Sequence, residues 1–240
     1  MKAINTKNIT AIGVVSLLML SACNDDNDDM SDVVDTMTET VTETMTHTYS
    51  VTITNLTQGQ PMSPFVLLAH DEGMLFNIGD SASESLEYIA EGGNSSMLLA
   101  EDWVNESTTA SAMLMPGESV TLMLENLEMM PNYLSVASML VVTNDGFTAV
   151  NAFDTSMLNS GESYTLMGSV YDAGTEMNSE MAGTIPGIDM GEGFNSAREI
   201  EGVVTIHPGV VSMYDGLTQS VLTSFHRFDN PAIKVVINKM

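Results

Sequence analysis

The sequence predicts an all-β protein, a sandwich or a barrel, with one or two short helices. Apolar and polar residues alternate with period two in seven short segments, which is the pattern of half-buried strands. Turn-forming residues separate these segments, as in M-P-G-E-S and N-S-G-E-S. A helical pattern is clear at only one place. Seven or eight short strands with few helices are typical of sandwiches and barrels.

The alternation is clearest in T-Y-S-V-T-I-T-N and S-V-T-L-M-L. The residues predicted to face inward in these two strands are Tyr49, Val51 and Ile53, and Val120, Leu122 and Leu124. The other predicted strands are residues 65–70, 134–142, 164–170, 203–207 and 232–238. Residues 48–240 are numerous enough for one globular domain with its own core.

One helix is predicted to interrupt the strands. S-A-S-E has the form of a capping box, with Ser81 as the N-cap and Glu84 three residues later. Gly92 and Gly93 are predicted to end the helix. A weaker helical turn is predicted over residues 97–103. The apolar face of the helix is predicted to contain Leu86, Ile89 and Ala90.

Residues 1–22 have the features of a secretory signal peptide. A short basic start precedes an apolar run over residues 9–20, which is too short to cross a bilayer as a helix. The run ends in L-S-A-C, which resembles the bacterial lipobox, in which the cysteine is lipidated and becomes the first mature residue. This predicts a lipid anchor at Cys23, the only cysteine of the chain. Asn24 after the cysteine favours the outer membrane, with the protein facing the periplasm or the exterior.

Residues 23–47 are predicted to carry this lipidated cysteine and an acidic, threonine-rich tether. N-D-D-N-D-D is followed by the tetrapeptides T-M-T-E, T-V-T-E and T-M-T-H. Such a segment has little apolar surface and much like charge, so we expect it to be flexible or extended. N-D-D-N-D-D lacks the glycine and the closing glutamate of an EF-hand loop.

The charge balance excludes some partners. The formal net charge is −26, and residues 8–197 contain no Lys or Arg. A nucleic-acid site requires basic residues, and so does docking of the protein surface on anionic lipid headgroups. An acidic surface instead attracts cations.

Two acids, Asp172 and Glu176, flank an Ala-Gly-Thr turn in Y-D-A-G-T-E, directly after the predicted strand 164–170. Calcium takes six to eight oxygen ligands in flexible geometry, and loops at strand ends can supply them. Gly174 permits the backbone conformations that such a turn can require. Asp145, in T-N-D-G-F after another predicted strand, is the candidate for a third ligand. The alternative is that these acids lie in ordinary solvated loops.

S-M-L-V-V-T-N-D-G-F (residues 138–147), followed by Y-D-A-G-T-E, resembles the spondin domain of F-spondin and mindin, which also occurs alone in many bacterial lipoproteins. The resemblance extends over about residues 48–211 and includes L-A-H-D-E-G-M-L-F-N-I-G, L-A-E-D and T-I-P-G. It implies an antiparallel β-sandwich similar to the calcium-dependent lipid-binding sandwiches. It also implies one calcium ion, with Asp145, Asp172 and Glu176 as ligands.

The chain departs from the spondin pattern at two positions of the motifs. Gly146 replaces the tryptophan that follows the first aspartate, and Glu176 replaces the last aspartate of D-A-G-T-D. Calcium coordination is loose enough to accept the longer glutamate. The cysteines and thrombospondin repeats of the animal proteins are absent, so their partners do not transfer to this chain.

The function that these features favour is a non-catalytic, calcium-binding surface module that mediates adhesion or ligand binding, with a protein or a glycan as partner. One alternative is a structural envelope lipoprotein in which calcium only stabilises a loop. The other is a metal-dependent hydrolase that uses His70, Asp71 and His207. The chain contains neither H-E-x-x-H nor G-x-S-x-G, and His70 at a strand end is expected to be structural.

Two classes of side chain leave further alternatives open. Phe147, Phe153 and Tyr171 are candidates for an aromatic cluster beside the calcium loops or, equally, for the core. The 21 methionines are scattered along the chain and are predicted to fill the core rather than to line a binding groove.

The lipobox predicts that Cys23 carries the membrane anchor. The Cys23→Ser variant should leave the membrane fraction, because the lipid is attached through the thiol. Fractionation, together with mass spectrometry of the N-terminal peptide, measures this. Unchanged membrane retention of the variant, with no lipid on wild-type Cys23, would contradict the prediction.

Overall fold

The structure is a computed structural model that describes residues 46–188 and 190–240. Within these residues the chain forms nine antiparallel strands and one α-helix. The strands are β1 (His47–Asn55), β2 (Val66–His70), β3 (Val104–Thr109), β4 (Ser119–Leu127), β5 (Tyr133–Met139), β6 (Gly146–Asp154), β7 (Ser163–Asp172), β8 (Thr205–Ile206) and β9 (Ile233–Lys239). The helix is α1 (Glu84–Gly92), and 3-10 turns lie at Leu98–Ala100, Thr155–Met157, Met213–Asp215 and Ser224–His226.

The strands form two layers that share β7. The first layer contains β4, β1 and β9, and the second contains β3, β2, β5, β6 and β8. The order of hydrogen-bonded neighbours is β3-β2-β5-β6-β7-β9-β1-β4, and β8 pairs with β7. The first part of β7 pairs with β9 as far as Gly168 opposite Ile233, and the second part pairs with β6 from Ser169 onward. A Cβ on Gly168 would lie 2.5 Å from Cγ1 of Ile233, so glycine fits closely where β7 changes layers. The fold is an antiparallel β-sandwich, which confirms the predicted all-β class.

The main core lies between the two layers. Tyr49, Val51 and Ile53 of β1 are fully buried there, as predicted, and they belong to one cluster with Leu67 and Ala69 of β2. These residues alternate with more exposed ones along β1, so the period-two pattern of that strand reflects one buried face.

A second cluster lies between α1 and the outer face of the layer that contains β2, β5 and β6. Leu86, Ile89 and Ala90 form the buried face of the helix, as predicted, and belong to one cluster with Val66 and Leu68 of β2. Because β2 is covered on both faces, all five of its residues are buried. The helix is therefore held by packing on the sheet, close to β5 and β6.

The start of the helix differs from the prediction. Ser83, not Ser81, is the N-cap, and its hydroxyl accepts a hydrogen bond from a first-turn amide at 3.2 Å. Glu84 is the first helical residue rather than the partner in a capping box, and the Ser81 hydroxyl lies 3.4 Å from the Gly202 carbonyl. The end of the helix agrees with the prediction, since Gly93 adopts φ 63° and donates its amide to the last turn.

Two strands were not predicted. β3 is a polar edge strand, V-N-E-S-T-T, without alternating apolar residues. β6 begins inside the acidic motif T-N-D-G-F, which was assigned only to a loop. The predicted strand 134–142 ends at Met139, and the predicted strand 203–207 keeps only the two residues of β8.

The methionines do not fill the core, and that prediction is wrong. Of the 16 methionines among the described residues, 13 are exposed and Met97 is partly buried. Only Met62 and Met139 of these 16 are buried. The core is built instead from Leu, Ile, Val, Phe and Ala.

The predicted signal peptide (1–22), Cys23 and the tether up to residue 45 lie outside the described residues. His47, which was predicted to end the tether, begins β1. In the part of the chain that the structure describes, no helix is both long and apolar enough to cross a membrane.

The corrected N-cap can be tested with two serine variants. Ser83→Ala should lower the free energy of unfolding by about 1 kcal/mol, because it removes the acceptor for a first-turn amide. Ser81→Ala should leave it nearly unchanged, since its exposed hydroxyl makes only a long contact. Urea denaturation measures both values, and a larger loss for Ser81→Ala would restore the original capping assignment.

Candidate carboxylate site at one end of the sandwich

The structure brings the two acidic motifs together at one end of the sandwich. Asp145 lies in the turn between β5 and β6, and Asp172 ends β7 opposite Gly146 of β6. Glu176 follows in the loop after β7. Asp145, Asp172 and Glu176 are only 0%, 8% and 6% exposed, so the ordinary solvated loop is the wrong interpretation of these residues.

Asp145 connects the two loops through its carboxylate. Its Oδ2 accepts the backbone amides of Thr175 at 2.8 Å and Glu176 at 3.1 Å. Its backbone carbonyl accepts the amide of Ala173 at 3.2 Å. Its Oδ1 is buried and has no hydrogen-bond partner. One oxygen of Asp145 is therefore used to shape the loop, and the other is free to bind a ligand.

Asp172 and Gly174 shape the start of the same loop. Oδ1 of Asp172 accepts the Gly174 amide at 2.8 Å, and Oδ2 accepts from the side-chain amide of Asn178. Gly174 has φ 72°, as a turn glycine allows, and its carbonyl accepts the Gly202 amide at 2.9 Å. A Cβ on Gly174 would lie 2.7 Å from the backbone of Val203, so the two chain segments approach too closely for a side chain there.

A fourth carboxylate, which sequence analysis did not identify, comes from α1. Glu91 is 1% exposed; its Oε2 accepts the Asn195 amide at 2.9 Å, and its Oε1 has no partner. Glu87, one turn earlier, lies 2.7 Å from Arg198 in an ion pair. Two acids four residues apart lie on one face of a helix, and this spacing is the signal in the sequence that could have revealed Glu91.

Burial and, to a smaller extent, neighbouring charges raise the pKa of three carboxyls at this site. Burial, followed by the charges of Glu91 and Asp145, raises the pKa of Glu176 to about 8. Burial and then the charge of Asp172 raise the pKa of Asp145 to about 6. Burial also raises the pKa of Glu91. Arg198 lowers the pKa of Glu91 only as the last of several causes, and neither ion pair among the described residues involves Glu91, Asp145 or Glu176.

In this structure the four carboxylates are not arranged as a metal-coordinating group. Among residues 46–188 and 190–240, no three His, Cys, Asp or Glu side chains are arranged so that they could hold a metal ion. The paired oxygens of Asp145, Asp172 and Glu91 face amide donors of the protein. The arrangement can hold protons as it stands, and it can hold a cation only if side chains turn toward one point.

Of the residues of the hydrolase alternative, His207 lies apart from His70 and Asp71. His70 is fully buried, with Nδ1 3.0 Å from a backbone carbonyl and Nε2 2.9 Å from the Ser135 hydroxyl. His207 lies instead beside Asp172, whose charge raises its pKa against the larger lowering by burial. Asp71 accepts a backbone amide of a neighbouring loop. His70 therefore has the structural role that the sequence predicted.

The turn that carries Asp145 and the loop from Asp172 to Glu176 are called the acidic loops. An aromatic cluster lies next to them. The ring of Phe147 lies 5.5 Å from that of Tyr171, and Phe76 contacts both, at 5.1 and 4.6 Å between centroids. Phe147 is fully buried, whereas Phe76 and Tyr171 are partly exposed. Phe153 belongs instead to the core between the layers. Two of the three predicted aromatic residues therefore lie together.

No protein-family model matches this chain, and no curated protein matches it. The role of the site therefore has to follow from its own chemistry and from the sequence motifs.

The raised pKa of Glu176 predicts a specific dependence of stability on pH in metal-free buffer. Between the unfolded pKa of about 4.5 and the folded pKa of about 8, the folded state binds more protons at Glu176 than the unfolded state. The contribution of Glu176 to stability should therefore fall as pH rises through this range. Urea denaturation in the presence of a chelator, from pH 5 to pH 8.5, measures it.

The informative quantity is the difference in the free energy of unfolding between wild type and Glu176→Gln, measured at each pH. Burial lowers the pKa of His70 and His207. The stability that these two residues contribute therefore rises with pH below about pH 6.5, opposite to the effect of Glu176. Wild type should lose stability relative to Glu176→Gln as pH rises, while Glu84→Gln on the exposed start of α1 should follow wild type. A pH-independent difference between wild type and Glu176→Gln would contradict the raised pKa.

Proposed function

We propose that this chain is a lipid-anchored, calcium-binding surface module of spondin type without catalytic activity. The observation that carries the proposal is the buried, unpartnered Oδ1 of Asp145. It lies in a group of four buried carboxylates, and the two ion pairs among the described residues involve none of the four.

A calcium ion is the ligand that these groups fit best. Buried carboxylates with too few hydrogen-bond donors are stabilised by protons or by a cation, and hard oxygen ligands select calcium or magnesium. Asp145, Asp172 and Glu176 come from three positions on two loops, which suits the flexible coordination of calcium better than the strict octahedron of magnesium. Bound calcium would supply the positive charge that the ionised carboxylates lack.

Glu91 supports a cation at this place through its contrast with Glu87. Both acids belong to α1 and both are buried, but Arg198 forms its ion pair with Glu87 and acts on Glu91 only at longer range. Glu91 raises the pKa of both Asp145 and Glu176, so it belongs to the same electrostatic group. We include it as a fourth group that a calcium ion would stabilise, either directly or through water.

The spondin assignment rests on the sequence motifs and is compatible with the sandwich fold. The replacement of tryptophan by Gly146 has a local physical reason in this chain. A Cβ at position 146 would lie 2.5 Å from Oγ1 of Thr143, which itself accepts the Gly146 amide at 3.0 Å. The turn that carries Asp145 is thus closed by a threonine hydroxyl, and the glycine is part of that closure.

The module is proposed to be tethered to the bacterial outer membrane through Cys23, in the periplasm or on the surface. The acidic composition supports cations rather than nucleic acid as partners. Phe76 and Tyr171, partly exposed beside the acidic loops, support a protein or glycan ligand at the same end.

A structural role for calcium is the second candidate, and the loop contacts favour it. The D-A-G-T-E loop accepts amides from Glu199 and Gly202, through the carbonyls of Thr175 and Gly174, at 3.1 and 2.9 Å. An ion at Asp145 would therefore also stabilise the chain segment before β8. In this candidate the envelope lipoprotein gains stability from calcium without presenting a binding surface.

Calcium should raise the melting temperature of the domain through the acidic loops. A ligand bound only to the folded state at 100 times its Kd stabilises by about 2.7 kcal/mol. For a domain of this size that corresponds to an increase of about 5–10 °C. Thermal unfolding and isothermal titration calorimetry of the protein from Asn24 onward, at about 10 mM calcium, test a Kd of about 10⁻⁴ M.

Asp172→Asn should abolish most of this increase, and magnesium should replace calcium poorly. Asp71→Asn, which also removes a hydrogen-bonded carboxylate but lies outside the acidic loops, serves as the matched control. Equal increases for wild type and Asp172→Asn would reject the site and indicate diffuse screening of the acidic surface instead.

A further inference from the structure

The exposed methionines are the least expected feature of the surface. They make up 13 of the 21 large hydrophobic side chains that are exposed among the described residues. These methionines are Met74, Met113, Met115, Met123, Met129, Met130, Met157, Met167, Met177, Met181, Met190, Met213 and Met240. Leucine has a similar size and hydrophobicity, yet Leu56 is the only exposed leucine in that set.

Hydrophobicity alone therefore does not explain where the methionines lie. If the surface merely tolerated apolar side chains, leucine and methionine would be divided similarly between surface and core. The core contains Leu, Ile, Val and Phe throughout and only two methionines. The property that distinguishes methionine from leucine is its flexible, oxidisable thioether.

The distribution of the exposed methionines argues against a docking face. Met123 lies on β4 and Met167 on β7, both with side chains on the solvent side of the sheet. Others lie in separate loops, for example Met74 between β2 and α1, Met113 between β3 and β4, and Met177 after β7. A hydrophobic groove for a partner requires contiguous residues, whereas a chemical role of individual sulfur atoms does not.

We propose that the exposed methionines form an oxidant-consuming surface that reacts with hypohalous acids and is regenerated by methionine sulfoxide reductases. In the regeneration a dithiol supplies two electrons and becomes a disulfide, and the sulfoxide oxygen leaves as water. The thioether sulfur attacks the chlorine of hypochlorous acid, and hydroxide leaves. Water then displaces chloride from the chlorosulfonium ion and loses its protons. The net reaction converts one thioether and one hypochlorous acid into one sulfoxide, one chloride and one proton, and the sulfur is oxidised by two electrons.

The fold allows this reaction without loss of structure. A sulfoxide is more polar than a thioether, so at an exposed position it is solvated by water. At Met62 and Met139, which are 0% and 1% exposed, it would disrupt the core, and burial keeps oxidant away from both. Cys23 is the only cysteine of the chain and its sulfur is predicted to carry the lipid, so the methionine thioethers are the main sulfur reductants of the chain.

Exposure and contacts also predict an order of reaction. Met190 is 96% exposed and Met129 is 73% exposed, so they should be oxidised first. Met130 is 38% exposed, and its sulfur lies 3.0 Å from the ammonium group of Lys239. Because a positive charge makes the sulfur a poorer nucleophile, Met130 should be the slowest of the exposed set.

The test is a stepwise titration of the full chain with hypochlorous acid, followed by intact mass, peptide mapping and thermal unfolding. Within the described residues, the sulfoxides should appear at the thirteen exposed methionines, with Met62 and Met139 unmodified and the melting temperature unchanged. Methionine sulfoxide reductases A and B with dithiothreitol should then restore the original mass. Oxidation of Met62 and Met139 at the same dose, or a melting temperature that falls with surface oxidation, would overturn the proposal.

Two variants separate the surface from the core. The variant with Met113→Leu, Met129→Leu, Met167→Leu and Met177→Leu should consume about four fewer equivalents of oxidant before a co-dissolved papain reporter loses activity. The control variant with Met62→Leu and Met139→Leu should protect the reporter as wild type does, since leucine replaces methionine at nearly constant volume. Equal protection of papain by wild type and the fourfold surface variant would also overturn the proposal.

Discussion

The end of the sandwich that carries the four buried carboxylates depends on the hydrogen bonds of one of them, Asp145. Oδ2 of Asp145 satisfies two consecutive amides of the D-A-G-T-E loop, and the backbone of Asp145 satisfies a third. The loop then accepts amides from the segment before β8, so three separate parts of the chain are joined through Asp145. Without this acceptor, buried amides at Thr175 and Glu176 would lack partners, which is more costly than the loss of an exposed contact.

The same group of carboxylates is the reason why we propose a cation at this end of the sandwich. A buried carboxylate is stable when a base, a proton or a metal ion compensates it. Arg198 compensates Glu87, and the chain has few other basic residues to use in this way. Backbone amides compensate Asp145 and Glu91 only in part, since the pKa of both carboxyls stays raised. In the proposed function, protons and calcium would compete for this role, and the pH would set the outcome.

Local patterns were sufficient to predict most strands with one buried face and the position of the two acidic motifs at strand ends. β3 was missed because an edge strand of polar residues has no alternation, and β6 because its pairing with β5 and β7, rather than its sequence, defines its start. Glu91 was missed although its spacing from Glu87 places both acids on one face of α1, because only the packing of α1 on the sheet brings that face to the acidic motifs. Ser81 and Ser83 carry the same local signal in S-A-S-E, and only the position of the first helical turn distinguishes them.

The directions of the strands place the acidic loops far from the start of the described chain. Tyr49 near the start of β1 pairs with Lys239 of β9, and Asn238 pairs with Ser163, where β7 begins. β7 then runs its ten residues to Asp172, a path of about 30 Å in an extended strand. A pull between Thr46 and the acidic loops would therefore load the β1, β9 and β7 ladders in shear, so that many hydrogen bonds would resist the force together rather than open one by one.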